Sequence, residues 1–339
     1  MLTSGGLRHP GFRLVKAGEK LETHAYTGDV SWRPDPFTAM ANVPRVLAEI
    51  EGGATLVLQA LHHTHPPLAV FCRDLEATVG HPVQANAYFT PRRSQGLPVH
   101  HDTHDVLCLQ VSGSKRWLVY EPALQLPLPN QRYRPDFGGP GEPVLDVVLQ
   151  PGDTLYLPRG WLHEALTSET DSLHLTIGVN VYTWLEAVRA ALDDCADDVE
   201  LRRSVPADGE APAELLEPLR ARLSPEAVTR RARDRFVRTR RPVLDGQWSE
   251  LRALDELTLE TPLERRATVL AQLVGSTLVF EGKQLAFPEH VRDELEALVA
   301  LDGPVRAADL PGVLDDEGRL VLVRRLIREG FLRRSAADV

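Results

Sequence analysis

The stretch Leu97-Pro98-Val99-His100-His101-Asp102-Thr103-His104-Asp105-Val106 decides how the rest of this 339-residue chain is read. In an extended strand, side chains two residues apart share a face. His100 and Asp102 are therefore expected to project together, with His101 on the opposite face. His104 shares the parity of the first pair and is expected near the mouth of any pocket they enter. One imidazole and one carboxylate are two corners of a 2-His-1-carboxylate site, which leaves positions open on Fe(II). An isolated H-x-D is a weak motif, and the third ligand must come from a distant strand. His163 is the best candidate. It lies in Gln150-Pro151-Gly152-Asp153-Thr154-Leu155-Tyr156-Leu157-Pro158-Arg159-Gly160-Trp161-Leu162-His163. There a Pro-Gly-Asp turn opens one strand, and Pro158-Arg159-Gly160 turns the chain into the next. This downstream run is what makes the H-x-D read as a metal site. His62, His63 and His65, before Pro66-Pro67, read as exposed polar residues. His174 reads as a barrel-lining or core histidine. Lys115 opens a strand one hairpin away from the H-x-D, where a cation would hold an anionic ligand.

Outward from this centre, residues 1–182 show short apolar runs with turn punctuation. Strands are expected at Gly53–Leu61, Val106–Val111, Lys115–Tyr120, Thr154–Leu157 and Leu173–Ile177. A helix is expected at Leu68–Val79 with Leu68, Val70, Phe71, Leu75 and Val79 facing inward. Pro127–Pro143 is rich in Pro and Gly and reads as a surface loop. Many short strands with few helices suggest an antiparallel barrel or jelly roll. From Thr183 the period becomes helical, with a further helix at Ala213–Leu223 and a third whose N-cap is Ser224 and first residue Pro225. The last zone, 261–339, reads as a hairpin (Ser276–Phe280, Gln284–Phe287), a helix Pro288–Leu301, a short helix Arg306–Leu310 and a longer one, Asp316–Glu329, ended by Gly330. That order is a winged-helix pattern. The expected division is 1–182, 183–260 and 261–339.

Asn86-Ala-Tyr-Phe-Thr-Pro91, Ser94-Gln-Gly-Leu-Pro98, His100-x-Asp102, Gly113-Ser-Lys-Arg-Trp117, Pro151-Gly-Asp153, Pro158-Arg-Gly-x-x-His163 and Ser172-Leu-His-Leu-Thr176 together resemble the JmjC-domain ribosomal oxygenases of the cupin superfamily. The resemblance covers about residues 53–182. It implies a mixed α+β chain: a double-stranded β-helix, a helical dimerisation domain and a C-terminal winged helix that is typically not a DNA reader. It also implies an Fe(II)- and 2-oxoglutarate-dependent dioxygenase in which His100, Asp102 and His163 hold the metal and Lys115 holds the distal carboxylate of 2-oxoglutarate. Asn86, Tyr88 and Thr176 match cosubstrate-pocket positions. The substrate implied is a His or Arg side chain of a ribosomal protein, hydroxylated with O2. Two departures stand out: the family's serine two residues after Thr176 is Gly178 here, and the loop Pro127–Pro143 has no clear counterpart.

Composition bounds the alternatives. Hydrophobic residues make up 43% and charged residues 25%, which is ordinary for a globular chain, and no run of 18 apolar residues exists to span a membrane. Three cysteines, Cys72, Cys108 and Cys195, form neither a disulfide framework nor a zinc pattern, so a reducing cytoplasm is expected. Residues 1–10 carry no secretory core, and Met1–Leu7 reads like the interior of an element, so an upstream start is expected. The net charge is −10, which argues against bulk nucleic-acid binding and suits a basic partner. Over 261–339 there are 11 Lys/Arg against 13 Asp/Glu, too acidic for a phosphate-tracking surface. The competing readings are an oxygenase of peptides or small molecules, a metal-binding cupin without turnover, and a winged-helix regulator.

Overall fold

Alternating burial builds the first half of the chain, and helical periodicity the second. The computed structural model describes residues 6–31, 35–205, 207 and 216–335. It divides into two compact units, Met1–Cys72 with Val83–Val181, and Arg73–Pro82 with Tyr182–Val339.

In the first unit the strands are β1 (Phe12–Lys16), β2 (Glu19–Lys20), β3 (Thr27–Val30), β4 (Phe37–Ala41), β5 (Thr55–Leu58), β6 (Val83–Thr90), β7 (Asp105–Gly113), β8 (Lys115–Pro122), β9 (Leu145–Leu149), β10 (Thr154–Leu157), β11 (Trp161–Leu166) and β12 (Ser172–Val179). Helices α1 (Thr23–Tyr26) and α2 (Val43–Glu51) precede β5, and α3 (Pro66–Val79) follows it, with its residues from Arg73 onward belonging to the second unit. A seven-stranded sheet runs β10-β7-β12-β6-β5-β1-β2 and a three-stranded sheet runs β11-β8-β9, with antiparallel pairing throughout. Period-2 alternation explains the layers. In β7, Val106, Cys108 and Gln110 are buried while Leu107 and Leu109 between them are only partly so. Val106, Cys108, Trp117, Val119, Leu149 and Leu157 form one apolar cluster; Phe12, Leu14, Tyr26, Val46, Ile50 and Leu56 form another. The β7–β8 hairpin requires Gly113: its φ is +62°, and a Cβ there would overlap the Asp171 carbonyl oxygen.

Several expectations change here. The strand read at Gly53–Leu61 shortens to Thr55–Leu58, because Ala60 turns left-handed and a 3-10 turn covers Leu61–His63. The helix read at Leu68–Val79 is present but turned. Val70 and Phe71 are exposed, and its buried positions are Cys72, Arg73 and Glu76. Apolar spacing misled there because the inward face is held by charge. The loop at Pro127–Pro143 is irregular apart from a 3-10 turn at Pro135–Phe137.

In the second unit, α4 (Trp184–Asp193) opens with a reciprocal capping box between Thr183 and Glu186. Next come α5 (Leu216–Arg222) and α6 (Pro225–Thr239), whose N-cap Ser224 accepts a bond from the Ala227 N–H as expected. Of the helix read at Ala213–Leu223, residues 213–215 lie outside the described residues. The chain continues with α7 (Gln247–Arg252), β13 (Pro262–Arg265), β14 (Ala271–Val274), β15 (Thr277–Phe280), β16 (Lys283–Ala286), α8 (Arg292–Val299), β17 (Val305–Arg306), α9 (Asp316–Arg328) and β18 (Leu332–Arg334). Strands β14, β15 and β16 form an antiparallel meander, and β13 is flanked by β17 and β18. The sequence reading found the β15–β16 hairpin and both helices but missed β14 and the β13 sheet. Leu263, Leu278, Phe280, Leu295, Leu326 and Phe331 are fully buried in its core. Among the described residues no helix is long and apolar enough to cross a membrane.

A buried ionic knot ties the second unit. Glu76 pairs with Arg73 at 2.6 Å and with Arg240 at 3.4 Å, and the Arg240 guanidinium also donates to the carbonyls of Arg73 and Thr268. Removing one partner of such a pair strands a buried charge. Arg240→Met is expected to lower stability by about 3 kcal/mol, whereas Arg292→Met, at an exposed helical pair, changes it by less than about 0.5 kcal/mol. Urea denaturation of the two variants checks the difference.

Candidate metal centre

Residues 94–100 run antiparallel to β11. Gln95 bridges Leu166, and His100 bridges His163. The His100 N–H donates to the His163 carbonyl at 3.1 Å, and the His163 N–H donates back to the His100 carbonyl at 2.8 Å. Residues that exchange both backbone bonds stand directly opposite, so their side chains leave on one face. The two imidazoles are accordingly 4.4 Å apart. Asp102 is brought in by the turn before β11, where the Gly160 N–H donates to the Asp102 carbonyl at 3.0 Å. Its Oδ2 lies 3.7 Å from His163 Nε2. One donor atom from each of His100, Asp102 and His163 falls within 4.8 Å of the others, close enough for a single ion to gather all three.

The strand expectation for the H-x-D needs correction. His100 stands at a lone bridge, and ladder pairing begins only at Asp105. The alternation nevertheless holds locally, because His100 and Asp102 line the cavity and His101 does not.

Hydrogen bonding prepares the imidazoles as ligands. His100 Nδ1 is 2.8 Å from the Pro98 carbonyl, and His163 Nδ1 is 3.0 Å from the Trp161 carbonyl. A carbonyl only accepts, so each Nδ1 carries the hydrogen and each Nε2 keeps a lone pair for a metal. Burial, reinforced by His100 and opposed by Asp102, pushes the His163 pKa down to about 4, so the neutral ligand form prevails. Burial resists ionisation of Asp102, but the imidazoles of His163, His100, His104 and His101 outweigh it and hold its carboxyl below the usual range.

Lys115 lines the same cavity. It is 5% exposed, against 32% for the Asp102 side chain, so Lys115 lies deeper than Asp102. Its ammonium donates to Thr90 Oγ1 at 3.0 Å, and Thr90 Oγ1 also accepts from Thr55 Oγ1 at 3.1 Å. Among the described residues no carboxylate pairs with Lys115. Burial lowers its pKa to about 8. Gly96 makes room for this floor, since a Cβ there would meet Thr55 Oγ1 at 2.6 Å.

The other residues singled out in the sequence are placed as follows. Tyr88 and Thr176 line the cavity. Burial, together with the Asp102 charge, pushes the Tyr88 phenol up to about 12. Asn86 shares the face of Tyr88 along β6, but its Oδ1 accepts from the Ala60 N–H at 2.9 Å and it is not among the lining residues. His174 lines the cavity, stacked on Tyr88 at 5.0 Å with a parallel ring. Burial and Lys115 drive its pKa well below normal. His104 is not among the lining residues; its ring occupies the space beside Gly178, where any Cβ would overlap it. His62 is structural rather than merely exposed, because its Nδ1 accepts from the Ala85 N–H at 3.1 Å. Thr55, Thr90 and Trp117 were missed. Thr90 follows Tyr88 by two on the same strand, so parity alone could have found it.

Three comparisons bear on this geometry. Residues 62–187 match the JmjC domain model. That match spans a little over a third of the chain. Ribosomal oxygenase 1 of Homo sapiens is 39% identical over 150 residues, covering 41% of this chain and 23% of that protein. The bifunctional lysine-specific demethylase and histidyl-hydroxylase NO66 of Drosophila persimilis is 37% identical over 140 residues, covering 40% of this chain and 20% of that protein. The chain thus spans about a fifth of the length of these relatives. The ribosomal oxygenase YcfD of Escherichia coli is similar across 96% of this chain and 86% of its own, with a TM-score of 0.55 at 20% identity. Its complex with cobalt and 2-oxoglutarate gives 0.56 at 20% identity, over 95% and 86%. These likenesses establish a mixed α/β chain with the JmjC/cupin fold.

His163→Ala removes the one ligand contributed by β11. Its Co(II) affinity, read from the visible absorption of the bound ion, is expected to fall by more than about 100-fold, while the far-ultraviolet circular dichroism stays unchanged.

Proposed function

We propose that this chain is an Fe(II)- and 2-oxoglutarate-dependent oxygenase that hydroxylates a His or Arg side chain of a ribosomal protein. The observation that carries this reading is one cavity lined by both a His-Asp-His cluster and a buried lysine that has no carboxylate partner among the described residues. The names of the relatives support the substrate class.

His100 Nε2, His163 Nε2 and the Asp102 carboxylate would hold the iron. With 2-oxoglutarate and O2, the bound iron supplies an oxidant that inserts oxygen into a C–H bond as the cosubstrate becomes succinate and CO2. The chain's own residues bind, orient and exclude water. The Lys115 ammonium and Thr90 hydroxyl receive the carboxylate far from the metal ligands, and this charge-assisted contact sets the length of acid accepted. Trp117, Val57 and Val15 wall the cavity with apolar surface. Tyr88 and Thr176 present hydroxyls beside the cosubstrate. Burial pushes the Cys108 thiol up, so it stays protonated and does not compete for the metal.

The second unit fits a helical dimerisation segment over 183–260 and a winged helix over 261–339. Trp184, Leu185 and Leu192 are exposed along α4 and suit a covering second copy. Four of the five arginines at 324, 325, 328, 333 and 334 are engaged: Arg324 donates to the Leu254 carbonyl, and Arg325, Arg333 and Arg334 pair with Glu329, Glu264 and Glu250. This disfavours a nucleic-acid reader. Lys115 in the cavity of the triad disfavours a cupin without turnover.

Succinate formation from 2-oxoglutarate by Fe(II)-loaded protein, faster with ribosomal protein and paired with a +16 Da peptide, is the expected result. No succinate with any ribosomal fraction would overturn the reading. Protonated Lys115 is the binding form, so 2-oxoglutarate affinity is expected to hold below pH 8 and to weaken as pH rises through about 8. Lys115→Met should cost about 10- to 100-fold in that affinity and flatten its pH dependence, as calorimetry at several pH values would show.

A further inference from the structure

His101 sits between two proposed ligands and points the other way. It is 4% exposed. Its Nε2 lies 3.0 Å from the Gln131 carbonyl, so Nε2 carries the hydrogen and donates it. Its Nδ1 is buried with no partner, which leaves the bond to Gln131 as the ring's polar contact among the described residues. The same ring stacks parallel to Phe137 at 6.1 Å and meets Tyr133 edge-on at 5.6 Å. All three partners belong to the loop Pro127–Pro143, most of which is exposed.

The loop is rooted on the site a second time. Gly160, whose N–H holds the Asp102 carbonyl, has a φ of +91°, and a Cβ there would overlap the Leu124 carbonyl and meet Pro127 Cδ at 2.9 Å. The far end of the loop joins β9 through the Val144 N–H to the Val119 carbonyl, and Val119 is paired with His163. The loop therefore leaves from beside Asp102, is pinned at its middle by His101, and returns beside the partner of His163. It stands on the Asp102 side of the site.

We propose that His101 is a positioning residue that couples occupancy of the metal site to this loop, making the loop a specificity wall that is held more firmly when the metal is bound. This rests on the metal-site reading above. An ion that draws His100 and Asp102 together immobilises the residue between them. His101 transmits that restraint to Gln131, Tyr133 and Phe137. A polypeptide substrate then meets a loop in one position relative to the reacting atoms, and the coupling is reciprocal: a fixed loop tightens metal binding by the same factor.

The test uses the full chain and Co(II) alone. Trypsin cleaves after Arg132, within the pinned segment, whereas the bond after Arg134 precedes Pro135 and resists it. Cleavage at Arg132–Tyr133, followed by mass spectrometry, is expected to slow about fivefold or more on Co(II) addition. In His101→Ala the ratio of rates with and without Co(II) should fall to about one. Phe137→Ala leaves the ligand segment intact and should lose most of the protection while weakening Co(II) affinity by the same factor. It decides the matter if His101→Ala fails to fold. Wild-type protein that binds Co(II) yet is cleaved equally with and without it would overturn the proposal, as would full protection in Phe137→Ala. Failure to bind Co(II) at all would overturn the metal-site reading instead, and this inference with it.

Discussion

The paired backbone hydrogen bonds between His100 and His163 are the constraint on which the site depends. These residues are 63 positions apart, and one narrow antiparallel pair fixes both their separation and their shared direction. Everything nearby serves that register. Gln95, five residues before His100, bridges Leu166, three residues after His163, and its side chain donates to Glu164 at 2.7 Å, where Tyr120 also donates at 2.7 Å. A slip of one residue would turn His163 to the opposite face. The carbonyls of Pro98 and Trp161 then choose the tautomer of each imidazole, so ligand geometry and ligand chemistry come from the same short stretch of backbone.

Electrostatics divides the cavity. At the outer end, neutral imidazoles surround a carboxylate held ionised, a donor set that takes a divalent cation while keeping the net charge of the complex low. At the inner end, an ammonium is desolvated against two threonine hydroxyls. Each end is poor company for itself and good company for a ligand, which is why a metal and a dicarboxylate together satisfy what neither satisfies alone. Apolar walls between them strengthen both interactions by excluding water.

Much of this was legible in the sequence, and the failures have physical causes. Turn chemistry at Pro151-Gly-Asp153 and Pro158-Arg-Gly160 announced β10 and β11, and i, i+2 parity put His100 and Asp102 together although no regular strand carries them. Lys115 drew notice through its position one hairpin away from the H-x-D. Thr90 was within reach of the parity rule through Tyr88, whereas Thr55 escaped because a threonine on a strand has no distinguishing signal until its partner across the sheet is known. The buried face of α3 was misread because Arg73 and Glu76 are buried by pairing with each other and, through Glu76, with Arg240, 164 residues beyond. Asn86 was matched to a cosubstrate-pocket position through the resemblance, but its amide oxygen accepts from the Ala60 N–H at the left-handed turn, a local demand that no spacing rule reveals.

The central claim is that one cavity holds a metal on three side chains and a 2-oxo acid anchored by Lys115. The most direct measurement is anaerobic titration of Fe(II)-loaded protein with 2-oxoglutarate, read by the visible charge-transfer band that appears when a 2-oxo acid chelates ferrous iron. The account predicts a saturable band in the wild type, its absence in His163→Ala, and saturation only at much higher 2-oxoglutarate in Lys115→Ala. Iron bound to the wild type with no band at any 2-oxoglutarate concentration would contradict it.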